Sequence, residues 1–446
     1  MHLGDYALNF TALSSVETHP SKLFYGWYIV AVGFFAQIVF AFHLSSTLSV
    51  FLKPLTEDLA VSRGLFSLLR SGEIIIGAVM APFIGAWLDR YGVRWLMAGG
   101  ALLAGMGFIL LSQVTAFWQF LLIRWLLVTT GGAFISSMVI SVTIARWFVR
   151  KRGRAIAMAT LGQGISKVSI PLVAAALFIF LGWRHTWSVF GIMTIVLVIF
   201  PAIVFMRRSP EEMGLYPDGI RSGPSEVHES RPKRNSRGEA DVDTVWTRRE
   251  IIHTSAFWLL CVTFGMANVG IAGLNLHVFA HITDMGYPTF IAATVMSLIA
   301  FTQLGSTLVW GFLSERWEIR KTTMLMFIIQ AAGLGLAIST HALVSIYMGF
   351  LFYGVGLGGS LVLQEVIWAT YYGRLSLGTV RGLAMLITLG FGAAGAPFFG
   401  FLFDATGSYL ISFVLFTLAL LGSALLSLLA RPPRKQRLAI ARQGIS

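Results

Sequence analysis

The chain has 446 residues, of which 56% are hydrophobic and only 12% are charged, whereas soluble domains carry about 25% charged residues. These proportions exclude a water-soluble globular protein and predict an integral membrane protein. The net charge of +13 would indicate a nucleic-acid partner in a soluble protein. We expect no such partner here, because membrane topology can account for the basic excess. The single cysteine, Cys261, excludes a disulfide scaffold.

Apolar runs recur along almost the whole chain, and each is long enough for the roughly 20 helical residues that cross a bilayer. The first run has no small-residue cleavage site, which predicts a retained span and not a signal peptide. Weak strand alternation argues against a β-barrel. We therefore predict an all-α membrane protein with twelve transmembrane helices. The predicted spans are residues 24–50, 65–88, 95–115, 117–145, 154–180, 184–206, 254–281, 288–313, 322–341, 343–370, 381–404 and 407–430.

A polar segment rich in proline, glycine and charged residues divides these spans into two six-helix halves. Its composition predicts a solvated linker between the halves. The predicted organisation follows from these boundaries. It comprises an N-terminal segment (1–23), a first half (24–206), the linker (207–253), a second half (254–430) and a C-terminal tail (431–446).

The basic residues indicate how the chain is oriented in the membrane. With a cytoplasmic N-terminus, 27 of the 33 Lys and Arg residues fall in cytoplasmic segments. Basic loops resist translocation, so this bias predicts that both termini are cytoplasmic. Three basic residues fall on the outer side, namely Lys53, Arg63 and Arg184. The last three lie inside predicted spans.

Two loops at equivalent points of the two halves resemble each other. The first copy joins the second and third predicted spans, and the second copy joins the eighth and ninth. A glycine, an acid and two arginines occupy the same offsets in both copies, which indicates a duplicated transporter. These residues are Gly85, Asp89, Arg90 and Arg94 in the first loop and Gly311, Glu315, Arg316 and Arg320 in the second.

On this loop motif the chain resembles the major facilitator superfamily, from about residue 25 to residue 430. Further stretches resemble its monocarboxylate-transporter and oxalate/formate-antiporter branch: Gly26 with Trp27, and residues 145–148, 152–155, 207–219, 372–374 and 378–382. The resemblance implies secondary active transport by alternating access, with a central site between the halves. The implied cargo is an organic anion that moves with a proton or in exchange for another anion.

No metal-ligand spacing, nucleophile elbow or phosphate loop stands out, so we expect no enzyme activity and no cofactor. The expected location is the inner or plasma membrane, with the chain crossing it many times. The expected partners are a small organic anion, protons or a counter-anion, and the lipid bilayer. We expect the protein to act as a monomer.

We predict that the repeated loop is a conformational latch. Asp89 can accept hydrogen bonds from a neighbouring helix end or pair with Arg90 or Arg94, and such contacts can exist in only one of two states. Alternatively, these charges only anchor a short loop at the headgroups. The second copy has Glu315 in place of the aspartate and Glu318 in place of the second glycine, which argues against a symmetric latch.

Lys167 is the main candidate for substrate binding. It lies at the midpoint of the fifth predicted span, near the depth at which transporters hold substrate, and a charge there is costly unless it is paired or hydrated. Gln163 lies one turn earlier on the same side. We predict that Lys167 binds a substrate carboxylate while Gln163 orients it. The alternatives are a buried ion pair with an acid on another helix, or an uncharged lysine.

Three charged residues of the second and fourth spans are candidates for proton coupling. Arg70 and Glu73 lie three residues apart, and we predict that they form a self-contained ion pair. Glu73 is alternatively the carrier of the coupling proton. Arg124 precedes a Gly-Gly pair and loosely resembles the superfamily's helix-four arginine motif, for which a role in proton coupling is implied. The alternative is that Arg124 extends to the outer headgroups.

Polar residues in other spans complete the candidate set. Ser46 lies in the first span, and Asn275 and His277 lie in the seventh. The resemblance implies that these two spans are symmetry-related walls of the cavity, so we assign the three residues to substrate binding. Glu365 in the tenth span is a candidate gate with Arg146 or Arg374, with simple solvation at the helix end as the alternative.

The chain departs from the branch in one respect. The resemblance implies an anion clamp made of an aspartate/arginine pair in helix eight or a lysine in helix eleven or one, yet residues 291–313 and 384–401 carry no charge. A net positive charge within the spans still favours an anion. One alternative is a proton-driven exporter of hydrophobic compounds, although Lys167 interrupts the Gly-Pro pattern that such exporters share in helix five. A transporter-like sensor without flux is the other.

Overall fold

The computed structural model describes residues 24–219, 246–373 and 375–433. These residues form helices and connecting turns, with no strand among them, which confirms the predicted all-α architecture. The predicted N-terminal segment lies outside the described residues, together with Arg374, residues 220–245 of the linker and residues 434–446 of the tail.

Ten stretches are long and apolar enough to cross a membrane, and two of them are twice the usual length. Each long stretch contains a glycine with positive φ, Gly92 at 78° and Gly182 at 73°, a conformation that only glycine adopts without steric cost. Gly72 and Gly107 both pack against the same part of the following helix, next to Trp125 and Val128 respectively. A straight helix would separate Gly72 and Gly107 by about 50 Å, so the chain turns back between them, at Gly92.

Each long stretch therefore forms two helices joined at its glycine. Counted in this way, the described residues form the twelve helices that the sequence predicts. They are α1 (Gly26–Phe40 and Ser45–Asp58), α2 (63–91), α3 (93–111), α4 (Phe117–Trp147), α5 (152–181), α6 (183–205), α7 (Ser255–Ala272 and Leu274–Asp284), α8 (Thr289–Arg316), α9 (Ile319–Ser339), α10 (Leu343–Tyr372), α11 (Leu377–Thr406) and α12 (Leu410–Leu429).

Three helices are interrupted near the middle of the bundle. An extended residue, Leu44, precedes the second segment of α1, and another, Ser136, breaks α4, whereas α7 is interrupted at Gly273. The second segments of α1 and α4 begin without a side-chain cap. Their first N–H groups therefore have no partner within the helix or from a capping side chain, as in the discontinuous helices of many transporters.

The two halves meet along pairs of helices from opposite halves. At the α2–α11 contact, Gly64 faces the ring of Phe401, and a Cβ on Gly400 would lie only 2.6 Å from the backbone oxygen of Arg63. At the α5–α8 contact, Gly164 packs against Leu304. These small residues let the helices approach closely, which is how helices pack in a bilayer.

Candidate substrate-binding site

A cavity of about 370 Å³ lies between the two halves. Helices α1, α2 and α5 form one wall and α7, α8 and α11 form the other. The volume lies within the range of about 300–1,000 Å³ that is usual for small-molecule sites. The polar side chains that line this central cavity are Ser45, Ser46, Arg70 and Lys167 from the first half and Asn268, Asn275, Gln303 and Thr388 from the second.

The charged residues that line the central cavity are both cations, Lys167 and Arg70. Lys167 is half-buried and has no acidic group within 4 Å among the described residues. The predicted alternative in which Lys167 forms a buried ion pair is therefore wrong for this structure. A lysine that keeps its proton at this position has no counter-ion in the protein and attracts an anion, because the surrounding dielectric constant is lower than that of water.

The interruption of α1 adds to this positive field. Ser45 and Ser46 begin the second segment of α1 and line the same cavity as Lys167. A helix N-terminus carries about half a positive elementary charge and presents free N–H groups. Together with the two cationic side chains, this helix end makes the wall from the first half favourable for a carboxylate.

The structure places the predicted binding residues in different surroundings. Lys167, Ser46 and Asn275 line the central cavity, whereas Gln163 does not belong to its lining. His277 is fully buried at the contact between the halves, where its ring nitrogens lie 3.0 Å from both Ser67 Oγ and Tyr409 Oη. The predicted assignment of His277 to substrate binding is corrected by this position, because its ring is occupied by protein partners.

Glu73 forms the centre of a three-residue ionic cluster. Arg70 Nη1 donates to Glu73 Oε2 at 2.8 Å, so the predicted ion pair is present. It is not self-contained, because Arg124 Nε donates to Glu73 Oε1 at 2.8 Å. Arg124 is fully buried, which rules out the predicted alternative that it extends to the headgroups. A widened turn over Arg124–Thr129 interrupts the regular helix here, a feature frequent at functional sites.

At one end of the molecule, ionic contacts join the two halves, and we call this the closed end, defined by Lys53, Arg63, Asp284 and Asp404. Arg63 and Lys53 both pair with Asp284 of α7, the lysine at 3.1 Å. Asp404 of α11 accepts from the backbone N–H groups of Arg63 and Gly64 at 3.0 and 2.8 Å. From the sequence, Lys53 and Arg63 are predicted only to lie in outer loops, because no sequence pattern indicates partners in the other half.

The opposite end of α2 carries the repeated loop, and we call it the motif end, defined by Asp89, Arg146 and Glu318. Asp89 pairs with Arg146 of α4 at 2.5 Å, within the same half. This corrects the predicted pairing of Asp89 with Arg90 or Arg94, since Arg94 Nε instead donates to the backbone oxygen of Ile203 at 2.6 Å.

The second copy of the loop forms different contacts. Glu318 pairs with Arg320 at 2.5 Å, and Glu315 forms no ion pair among the described residues. The guanidinium of Arg316 lies over the Phe312 ring. The loops are therefore not equivalent in their contacts. The glycines of both copies face open space, because a Cβ added at Gly85 would meet nothing within 4 Å and one at Gly311 only a side chain at 4.0 Å.

Glu365 also forms its contact within one half. Its carboxylate pairs with Arg381 of α11 at 2.9 Å, and both side chains are largely exposed. This corrects the predicted pairing of Glu365 with Arg146, whose guanidinium is bound to Asp89. The other predicted partner, Arg374, lies outside the described residues.

The first residues after α6 fold back onto the motif end. Asp218 accepts from the backbone N–H groups of Val149 and Arg150 at 2.8 and 2.7 Å, just before α5 begins. Burial raises the pKa of the Asp218 carboxyl, but the backbone N–H groups of Arg150, Val149 and Lys151 outweigh it and hold the pKa below its ordinary value. This part of the predicted linker is therefore attached to the first half.

The chain is similar to several membrane transporters. Human (Homo sapiens) monocarboxylate transporter 11 is 25% identical over 421 residues, which cover 91% of this chain and 83% of the relative. Monocarboxylate transporter 13 of Rattus norvegicus is 25% identical over 406 residues, which cover 89% and 87% respectively. The uncharacterized MFS-type transporter YcxA of Bacillus subtilis is 23% identical over 394 residues, which cover 86% and 90%.

Solved structures share the fold at lower identity. A bacterial homologue of the human lysosomal transporter Spinster, in an inward-facing and occupied conformation, aligns with a TM-score of 0.71 and 17% identity, covering 92% of this chain and 97% of that one. A D-xylose–proton symporter aligns with a TM-score of 0.68 and 14% identity, covering 90% and 97%. The family model described as Major Facilitator Superfamily matches residues 30–394. The chain therefore belongs to the Major Facilitator Superfamily, as a multi-pass membrane transporter related to the monocarboxylate transporters and not an enzyme.

Proposed function

We propose that this protein moves a small organic anion, a monocarboxylate or a related carboxylate, across the membrane by alternating access coupled to a proton. The observation that carries the proposal is the central cavity between the halves, where Lys167 has no acidic partner among the described residues and Arg70 supplies a second cation. A carboxylate would neutralise Lys167 in a site that contains no competing acid in its lining.

The wall from the second half supports an organic anion over a bare inorganic one. Asn268, Asn275 and Gln303 offer amide donors and acceptors opposite the cations. Apolar side chains of both halves, among them Ile74 and Met296, line the space between these polar groups. A cargo with a carboxylate at one end, an apolar body and a polar substituent matches this arrangement. Since one chain supplies the whole lining, we propose that a monomer is sufficient.

The two ends of the molecule support alternating access. The basic loops assign the motif end to the cytoplasm, so the closed end faces outside in this proposal. Met385 lines the cavity on the part of α11 nearer the motif end and is 58% exposed, which fits a cavity open to the cytoplasm. The contacts of Arg63 with Asp284 would have to break for the cavity to open outwards.

Proton coupling is proposed for Glu73, acting through Arg70. Arg70 lines the cavity and donates to Glu73, while Arg124 holds the other carboxylate oxygen. A proton on Oε2 of Glu73 would remove the acceptor of Arg70 and free its guanidinium for the cargo. Anion binding and proton binding would then depend on each other, which is the requirement for coupled transport.

Counterflow of a carboxylate panel into proteoliposomes at two external pH values tests the proposal. We expect Lys167→Gln to lower counterflow by about tenfold or more, because one good charge pair contributes about 1.4 kcal/mol or more. Lys321→Gln is the matched control, since Lys321 is an exposed lysine at the motif end. Flux that ignores pH and every carboxylate, or that is equal in the two variants, contradicts the proposal.

Proton coupling has its own measurement. In Glu73→Gln we expect counterflow of the substrate to continue while substrate-driven proton uptake disappears, because an amide cannot exchange a proton in this way. Glu57→Gln, on the second segment of α1 and away from the ionic cluster, serves as the charge-matched control. Unchanged proton uptake in Glu73→Gln would remove Glu73 from coupling and leave the anion proposal intact.

A further inference from the structure

A second cavity of about 310 Å³ lies inside the first half, between α1, α2 and α4. We call it the side chamber. It shares Leu44, Arg70 and Ile74 with the central cavity, so the two spaces adjoin at Arg70. Its lining continues to Ala81 and Ile84, further along α2 towards Asp89. The side chamber therefore extends from the substrate cavity towards the motif end.

The side chamber contains hydrogen-bond donors that have no partner among the described residues. Ser136 and Ser137 line it where the second segment of α4 begins, and no side chain caps this eleven-residue helix. His43 also lines it, and its Nδ1 donates to the backbone oxygen of Phe40 at 3.3 Å. The Nε of Arg70 is buried and has no hydrogen-bond partner among the described residues. Buried donors without partners destabilise the protein, so a ligand that accepts from them is favoured.

The charges around the side chamber favour an anionic ligand. Glu73 lines it, but the two carboxylate oxygens are bound by Arg70 and Arg124. Two guanidinium groups against one carboxylate leave a net positive charge. The start of the second segment of α4 adds the positive end of a helix dipole on the opposite wall. The hydroxyl of Thr129 is a further donor in the lining.

We propose that the side chamber is a second binding position for the carboxylate of the transported anion. The carboxylate would lie between Arg70 and the N–H groups that begin the second segment of α4, with the hydroxyl of Thr129 as a further donor. Because Arg70 lines both cavities, one guanidinium can pass the anion from the central cavity to the side chamber on the way to the motif end. The identity of this ligand rests on the proposed function.

Thiol labelling can test both positions in the same protein, because the single cysteine, Cys261, is fully buried. Ser137→Cys places a thiol in the side chamber. Ser46→Cys is the matched variant in the central cavity, since both serines are partly buried and begin an uncapped helix segment. Each variant is reconstituted in phosphatidylcholine vesicles, which provide no net anionic lipid. Each is then labelled with anionic sulfonatoethyl or cationic trimethylammonioethyl methanethiosulfonate.

Each labelling rate is divided by that reagent's rate with a free thiol in solution. At Ser137→Cys we expect the relative rate of the anionic reagent to be about tenfold higher than that of the cationic one, because a positive cleft concentrates anions. We also expect benzoate to slow the labelling, while the neutral amide benzamide does not. Equal relative rates, or labelling that benzoate does not slow, would overturn the second position.

The two variants separate this inference from the proposed function. If benzoate protects only Ser46→Cys, the proposed binding position in the side chamber is wrong and the proposed function is unaffected. Protection of Ser137→Cys alone supports the side chamber and contradicts the central site. Protection of neither overturns both.

Filling the side chamber gives a second, independent test. Gly77 lines the side chamber but not the central cavity, and a Cβ added there meets nothing within 4 Å. Gly77→Leu should therefore fold, abolish benzoate protection of Ser137→Cys and preserve that of Ser46→Cys. Gly99→Leu is the control, because Gly99 is exposed and its Cβ would also meet open space. Protection of Ser137→Cys that survives Gly77→Leu overturns the proposal.

Discussion

The closed end and the motif end both carry acidic residues with basic partners, yet among the described residues only those of the closed end join the halves. Asp284 and Asp404 belong to the second half and bind Arg63 of the first. Asp89 and Glu318 at the motif end bind partners in their own halves. Under the proposed alternating access, only a contact that crosses the boundary between the halves has to break when the halves move relative to each other.

The two ends also differ in burial. The side chains of Arg63 and Asp284 are 12% and 26% exposed, whereas that of Asp89 is 68% exposed. Water weakens an exposed ion pair until it contributes little free energy. Breaking a contact at the closed end should therefore change the ratio of the two conformations more than breaking one at the motif end.

The largest effect is expected for Asp284→Asn, which weakens the contacts of both Arg63 and Lys53. Losing one partner of a partly buried charge pair costs about 2 kcal/mol, or roughly a thirtyfold change in the ratio of conformations. Spin labels at Tyr91→Cys and Trp317→Cys, both 55% exposed in the repeated loops, measure this ratio as a distance. We expect the distance to shorten as the motif end closes.

Asp58→Asn is the control for that measurement. Asp58 pairs with Arg184 at 2.8 Å, at the same end of the molecule but within the first half. If Asp58→Asn shifted the label distance as much as Asp284→Asn, a contact within one half would matter as much as one between the halves, which would contradict the comparison of the two ends.

A smaller effect in the same direction is expected for Asp404→Ala. This variant removes the acceptor of the Arg63 and Gly64 N–H groups, and losing a helix cap costs about 1 kcal/mol. Ser62→Ala is the matched control, because Ser62 caps the same helix start from its own half by accepting from Leu65. Both variants should lower thermal stability, but only Asp404→Ala should shorten the distance between the loop labels.

Asp89→Asn should shift the ratio in the opposite direction. Its pair with Arg146 is exposed, so losing it costs at most about 0.5 kcal/mol in this conformation. If the loop is a latch for the other conformation, the variant destabilises that conformation more than this one, and the distance between the two labels lengthens. Glu318→Gln, whose carboxylate binds within its own loop, should leave the distance unchanged. A shortened distance in Asp89→Asn would contradict the latch.

The smallest effect is expected for Asp218→Asn and depends on pH. Because the folded-state pKa of Asp218 is lowered, its charge stabilises the fold at pH above the ordinary carboxyl pKa of about 4. This contribution is lost as the pH falls through the lower folded-state value. We expect the variant to lower the unfolding temperature of the purified protein by about 1–2 °C at pH 7.

The pH dependence is the control for Asp218. The difference between wild type and Asp218→Asn should disappear under acid conditions, where the wild-type carboxyl is also uncharged. Glu212→Gln, in the same segment, tests whether any lost charge has this effect. A difference that persists in acid would mean that the side chain acts by shape and not by charge.

The charged residues inside the spans show how far sequence reasoning reaches. The position of Lys167 at mid-span was sufficient to place it near the centre of the molecule, and it lines the cavity. The choice of Gln163 as its neighbour was not confirmed. Helical spacing shows which residues lie near each other on a helix, but not which of them contact the cavity. Asn275 of the second half was predicted and lines the cavity, whereas Gln303 and Thr388 gave no signal stronger than that of other polar residues in apolar spans.

Partners were the least predictable feature. Arg124 was compatible with an outer position because its depth in the fourth span allowed one, but contact with Glu73 buries it completely. The span of His277 suggested a cavity residue, yet its ring contacts Ser67 and Tyr409 instead. In each case the deciding neighbour lies far away in the chain.

The sequence by itself determined that this protein is a helical membrane transporter with two halves. The apolar runs have the length that a bilayer requires, and the repeated loop marks the same point of each half, so both features are visible along the chain. Only the tertiary structure decided which charges join the halves and which stay within one, and that Arg70 lines two cavities. The physical reason is that an ion pair or a cavity depends on distances between separate helices, and these distances follow from packing and not from spacing along the chain.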